Sequence, residues 1–365
     1  MWEIAYIMPN LKVSTVIESE NIALVPYDDE RIEVIKNEQI GASKLLDGFI
    51  DDFNNPIKPA ALIIKNSGTQ DFITIDSIVA FRNVVAISTI LLNWALDYSQ
   101  GSALGPLFSN SFDFYPVILT NEGYIVTDNP SLLSIRTNNA PFIATPSREV
   151  SSVNIGLQDP ILIKALLDSW KNKYELNNEE DLIFRKLFRS AEMAYYALSI
   201  PEKNQSSEND RGLLMSFWIS AIEILLNPED SNKEVNKFIV LDTLLNHGFN
   251  DELLSPYKKI KRYKKKEDIN FIQHLYMIMY NYRSKFLHGD EIGDEFKSFV
   301  EEYPKLSFLN LGPNLYRLVL YLFLKDNNII EINESENYMD SFREYNTLNR
   351  YEKFFLNVLN SKNVK

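Results

Sequence analysis

The sequence predicts a mainly α protein in which an α+β N-terminal domain precedes a C-terminal helical bundle, and three observations predict it. The chain has 365 residues, more than one ordinary domain and fewer than three. From Asp159 onward, apolar residues recur at helical spacing between marked helix ends. The first 150 residues instead mix short extended runs with helical ones. The expected division is an α+β domain over residues 1–150 and an all-helical domain over residues 158–365.

Within the first part, Ile22–Val25, Ala60–Lys65 and Phe72–Ile75 read as strands. Phe114–Thr120 and Tyr124–Asp128 flank Asn121-Glu122-Gly123, a turn suited to a hairpin. Leu45, Leu46, Phe49, Ile50 and Phe53 recur at helical spacing, and Ile78–Tyr98 supplies a long central helix. That stretch is long enough to raise the question of a membrane span. It carries Arg82, Asn83, Asn93 and Asp97, which are costly in lipid, so a buried core helix is expected and no membrane partner. Between Thr127 and Asn154 the chain turns rich in Asn, Ser, Thr and Pro, marking the expected domain boundary.

The helical part opens at Asp159-Pro160, an N-cap followed by proline at the first helical position. A second helix is expected from Glu179 to Ile200 and a third from an Asp210 cap to Leu226. Ser231-Asn232-Lys233-Glu234 reads as a capping box that opens a fourth, closed by Gly248. A fifth runs from Glu267 to His288-Gly289, and helical stripes follow at Phe296–Tyr303, Leu315–Leu324 and Tyr338–Leu359.

Composition narrows the chemistry. With no cysteine, disulfides, thiolate zinc sites and cysteine nucleophiles are excluded, and a cytoplasmic location is expected. The opening Met1-Trp2-Glu3-Ile4 lacks the pattern of a signal peptide. His247, His274 and His288 show no ligand-like spacing, so neither metal nor other cofactor is implied. Phosphate-binding glycine loops and the nucleophile elbow are missing as well. A formal net charge of −13 argues against a general nucleic-acid coat, so any such site must be local. Lys258, Lys259, Lys261, Arg262, Lys264, Lys265 and Lys266 form one local basic run, either a solvated connector or an RNA contact, with Lys285 as a further basic candidate.

One constellation remains, Tyr282-Arg283-Ser284-Lys285-Phe286-Leu287-His288-Gly289. Cleaving RNA without a metal requires proton transfer to and from oxygen and positive charge on the phosphate. Histidine can do the first and arginine the second, its planar fork matching phosphate oxygens. Residues five apart on an ideal helix point roughly 140° away from each other, so Arg283 and His288 do not converge within one straight helix. Either Gly289 ends the helix and lets His288 swing, or a second subunit supplies the complementary group.

Arginine, four residues and histidine near the end of an apolar helix resembles the catalytic motif of the HEPN superfamily. Together with Phe217-Trp218-Ile219-Ser220-Ala221-Ile222-Glu223-Ile224-Leu225-Leu226, it is similar to the Apea-like branch, over roughly residues 160–330. The resemblance implies a HEPN-type helical bundle that dimerises so that two motifs face each other. It also implies a ribonuclease of a defence or toxin–antitoxin system, with RNA and a possible antitoxin or defence protein as partners. Arg283 and His288 become the catalytic pair. Ser284 takes the polar position where the family often has asparagine, and Glu223 matches a glutamate often seen in the branch. Taken by itself, Glu223 reads more readily as half of a structural salt bridge, and His288 has a second reading as the polar end of a helix. The alternative is a catalytically silent HEPN module that binds RNA or a nucleotide, or scaffolds a complex.

Overall fold

The computed structural model describes residues 1–51, 53–65, 73–99, 111–115, 117–127, 142–143, 158–178, 181–200, 207–226, 237–245, 251–262, 265–291, 295–330 and 351–362. Two units emerge, neither of them one contiguous segment: Met1–Thr89, Leu107–Gln158 and Trp170–Asn177 form the first, and Ile90–Pro106, Asp159–Ser169 and Asn178–Lys365 the second.

The first unit begins with strands β1 (Trp2–Met8), β2 (Ile17–Glu18) and β3 (Ile22–Val25), then α1 (Glu30–Glu38), α2 (Ala42–Leu46), β4 (Phe49–Ile50) and β5 (Ala60–Lys65). Four of the strands make an antiparallel sheet in the order β1-β5-β3-β2. Ile22 to Val25 and Ala60 to Ile63 are buried at every position, as sheet covered on both faces requires, and their sequences are accordingly unbroken apolar runs. Ile7, Val25 and Ile63 pack with Ile32, Ile35, Leu45, Leu46 and Phe49 into one core.

The helical spacing of Leu45 through Phe53 does not give one helix. Helix α2 stops at Leu46, and Phe49–Ile50 pair in parallel with β8 (Phe142–Ile143), while β6 (Val117–Leu119) and β7 (Ile125–Thr127) form a separate two-stranded sheet. The Asp51 carboxylate then accepts from the backbone N–H groups of Phe53 and Asn55, closing a turn that leaves Phe53 exposed. The strand expected at Phe72–Ile75 is also corrected, Phe72 itself lying outside the described residues. Thr74 and Ser77 each accept the other's backbone N–H, which caps helix α3 (Ile75–Ser99). Of its most apolar window, Ile75–Ala95, 78% is buried within the structure. The expected hairpin forms from β6 and β7. Gly123 sits there at φ +80°, and a Cβ would meet the Ile40 carbonyl oxygen at 2.6 Å.

A π-helical turn at Lys171–Glu175 belongs to the first unit, and the second carries α4 (Pro160–Trp170, all but its last residue), α5 (Leu182–Ser199), α6 (Glu208–Leu226), α7 (Lys237–Leu245) and α8 (Asp251–Leu254). Strands β9 (Lys258–Arg262) and β10 (Lys265–Ile269) follow, then α9 (Phe271–His288), α10 (Glu295–Glu302), α11 (Phe308–Asp326) and a last helix over 351–359. An all-helical unit is therefore corrected to a helical unit with one inserted β-hairpin. The helix expected from Glu267 starts at Phe271, because Asn270 and Gln273 form a capping box and the preceding residues pair as strand. Helix α6 is capped by Ser207 in place of Asp210: the serine hydroxyl accepts the Asp210 N–H while the Asp210 carboxylate accepts the Ser207 N–H. Ser231–Glu234, Gly248 and His247 lie outside the described residues.

Two glycines let helices approach closely. A Cβ on Gly212 of α6 would fall 2.1 Å from the Phe286 ring on α9, and one on Gly312 of α11 would fall 2.3 Å from the Trp218 indole on α6. Asp159, buried, caps α4 through the N–H groups of Ile161 and Leu162. Its other oxygen accepts from Arg317 at 2.6 Å and from the Tyr351 hydroxyl at 2.9 Å, so one carboxylate ties three helices together.

Candidate functional site

Helix α9 runs without interruption to His288 and ends in a Schellman motif. Gly289 adopts φ +71°, its N–H reaching the Phe286 carbonyl and that of Asp290 the Lys285 carbonyl. Gly289 ends the helix as expected, but the expected swing of His288 is corrected: His288 is the last helical residue and is exposed. By helix geometry Arg283 and His288 stand about 140° apart around the axis and about 7.5 Å apart along it. The structure does not bring this pair together within one chain.

Arg283 meets Glu223 instead. Its Nη1 lies 3.6 Å from a Glu223 carboxylate oxygen, with both side chains mostly buried at 25% and 15% exposure. At that separation the pair is coulombic and not hydrogen-bonded. Arg283 has no hydrogen-bond partner among the described residues, and its Nε is fully buried. Burial pushes the Glu223 carboxyl above its usual range even though Arg283 pulls the other way.

Tyr276, two turns earlier on the same stripe of α9, completes the cluster. It is wholly buried and its hydroxyl has no hydrogen-bond partner among the described residues, while burial and then the Glu223 charge push the phenol well up. Tyr276, Tyr280, Arg283 and Leu287 follow helical spacing, a signal present in the sequence but indistinguishable there from an ordinary core stripe. Tyr282 is buried as core. Ser284 and Lys285 are part-buried on α9. Leu287, beside His288, is a large apolar side chain left 56% exposed, and Leu213 on α6 and Tyr196 on α5 are exposed as well.

The basic run is split by the hairpin. Arg262 is held by Asp242 through two hydrogen bonds of 2.6 and 2.7 Å, with Glu267 a further 3.6 Å away. Lys261 and Lys265 are exposed on the strands, and Lys264 lies outside the described residues. Nothing in the sequence around Asp242 signals that it claims Arg262. His274 is buried against Tyr257 and Phe299, and its pKa is pulled down to about 4 by burial and then by Lys258. It is a neutral core residue at ordinary pH. Among the described residues no group of three or more acidic or histidine side chains could hold a metal ion. Comparison with family models, with curated proteins and with solved structures finds no match to this chain.

Proposed function

We propose that this chain is a metal-independent endoribonuclease of a cytoplasmic bacterial defence or toxin–antitoxin system, with its site completed in a homodimer. The observation that carries the reading is Arg283, an always-charged group with unmet donors on one side of α9, followed by an exposed histidine on the other. Two-fold pairing of this helix end places the arginine of one copy within reach of the histidine of the other, which a single straight helix cannot do. Exposed Leu287 beside His288 supports such a contact.

In this reading a base removes the proton from the 2′-OH, and O2′ attacks phosphorus as the bond to the 5′ oxygen breaks. Arg283 offsets the charge on the phosphoryl oxygens, and His288 moves the proton. The products carry a 2′,3′-cyclic phosphate and a 5′ hydroxyl. Glu223, beside Arg283 but above its usual pKa, orients the guanidinium.

The test is cleavage of total RNA by purified protein in excess EDTA. Wild type is expected to leave 2′,3′-cyclic ends, and Arg283→Ala and His288→Ala each to lose about 10²-fold or more. The silent-module reading draws on the same Arg283–Glu223 contact as a structural ion pair. It is favoured if no variant differs from wild type or none cleaves, and if Arg283→Ala lowers thermal stability.

A further inference from the structure

Strands β9 and β10 pair antiparallel with Lys261 opposite Lys266 and Lys259 opposite Asp268. Successive side chains in a strand point to opposite faces, so these four share one face of the ribbon. Ile260, Arg262 and Glu267 share the other with Ile269. Between the ribbon ends burial follows the alternation: the first four are exposed and the second set is buried or part-buried, while Lys258 and Lys265, at the two ends of that second face, are exposed. The ribbon therefore has an inner and an outer face.

The two faces differ in how their charge is met. On the inner face Arg262 is matched by Asp242 and Glu267. On the outer face Asp268, 3.9 Å from Lys259, is the only acid among the described residues of the ribbon. Lys261 and Lys266 stand directly opposite each other, are exposed and have no acidic partner among the described residues. Like charges placed across a ladder weaken it, and a two-stranded ribbon has little stability to spare. A merely solvated connector gains nothing from that arrangement. A bound polyanion supplies the missing charge to both lysines at once.

We propose that this outer face, through Lys259, Lys261 and Lys266, binds the phosphodiester backbone of single-stranded RNA. The identity of the ligand as RNA rests on the ribonuclease reading, whereas the charge geometry does not. Same-strand lysines lie about 6.7 Å apart and cross-strand ones about 5 Å, a scale on which neighbouring phosphates of one strand are contacted together. Lysine ammonium groups are hydrated point charges, suited to a backbone and not to base edges. The deep, narrow major groove of an RNA duplex does not admit a ribbon. Because β10 passes through Asn270 directly into α9, the lysines have a fixed distance to Arg283, which lies about 18 Å along that helix. One strand of several nucleotides spans both.

The experiment measures anisotropy of a fluorescent single-stranded RNA of about ten nucleotides over a salt series, with full-length His288→Ala protein so that the probe survives. Adding Lys261→Gln and Lys266→Gln is expected to weaken binding about tenfold or more at low salt. Each lost phosphate contact lowers the slope of log affinity against log salt by about 0.7, so the pair lowers it by about 1.4. Thermal stability is expected to hold or rise, since a like-charge pair is removed, and this separates lost binding from lost folding. Unchanged affinity and slope overturn the proposal. So does a duplex that binds as tightly as the single strand, or poly-glutamate that competes as well as RNA, the latter identifying an acidic polypeptide as the partner. Lysine-dependent binding by a wild-type protein that never cleaves supports the ribbon while failing the ribonuclease reading.

Discussion

Replacing Gly212 by alanine tests the helix contact on which the placement of Arg283 and His288 depends. The added Cβ would lie 2.1, 2.3 and 2.5 Å from three carbons of the Phe286 ring. Ordinary carbon contacts need about 3.5 Å or more, so the ring must retreat by roughly 1.4 Å. Overpacking of this kind costs about 1–3 kcal/mol, and the better helix propensity of alanine returns about 0.8–1 kcal/mol. The expected net loss is about 1 kcal/mol, or roughly 3 °C in Tm for a unit of this size. In a Phe286→Ala background the clash is gone and only the propensity gain remains, so the same change stabilises. That change of sign corresponds to a coupling of about 2 kcal/mol in a double-mutant cycle, read by urea denaturation. Phe286 lies between Arg283 and His288, so cleavage by Gly212→Ala falls further than its stability does. If Gly212→Ala stabilises the unsubstituted protein, α6 and α9 are not this close and the site geometry built on them is wrong.

Two further outcomes follow from buried charge. His274 has a folded pKa of about 4 against 6.5 when unfolded, so between those values the unfolded chain binds more protons. Its contribution is fully present above about pH 6.5 and is lost as pH falls toward 4, at up to about 1.4 kcal/mol per pH unit. Urea titrations at several pH values are expected to show that slope in wild type and a shallower one in His274→Gln. Arg317→Met strands the buried Asp159 carboxylate and is expected to cost about 3–5 kcal/mol. Adding Asp159→Asn, which removes the charge but keeps a capping side chain for α4, recovers part of that loss in thermal melts.

The helices were legible where both a cap and a long stripe were written into the chain, as at Asp159-Pro160 and His288-Gly289. Where the residues are few, spacing misled. Leu45 through Phe53 satisfies a helical period, yet Gly48 and the Asp51 turn divide it between a short helix and a strand. Lys258–Ile269 does not read as a hairpin in sequence because it lacks the β-branched alternation that signals a strand; Ile260 and Ile269 supply its inward packing. At the site, motif spacing picked out Arg283 and His288 and the neighbouring helix picked out Glu223. Tyr276 went unseen because a buried tyrosine with an unmet hydroxyl looks, in sequence, like any other core aromatic.

The contrast between two arginines shows why distance and not residue type assigns the roles. Arg262 and Asp242 meet fork to fork at 2.6 and 2.7 Å, and a phosphate would have to displace two charge-assisted hydrogen bonds to engage that guanidinium. Arg283 faces its carboxylate at 3.6 Å without a hydrogen bond, so an incoming phosphate competes only with a coulombic contact. An arginine whose donors are unmet in a mostly buried setting has already borne the desolvation that binding would otherwise require. Glu223 then sets the balance, because its raised pKa weakens its hold on the guanidinium wherever the carboxyl takes up a proton. Arg262 therefore serves as a strut that ties β9 to α7, and in the proposed ribonuclease reading it is Arg283 that receives the phosphate.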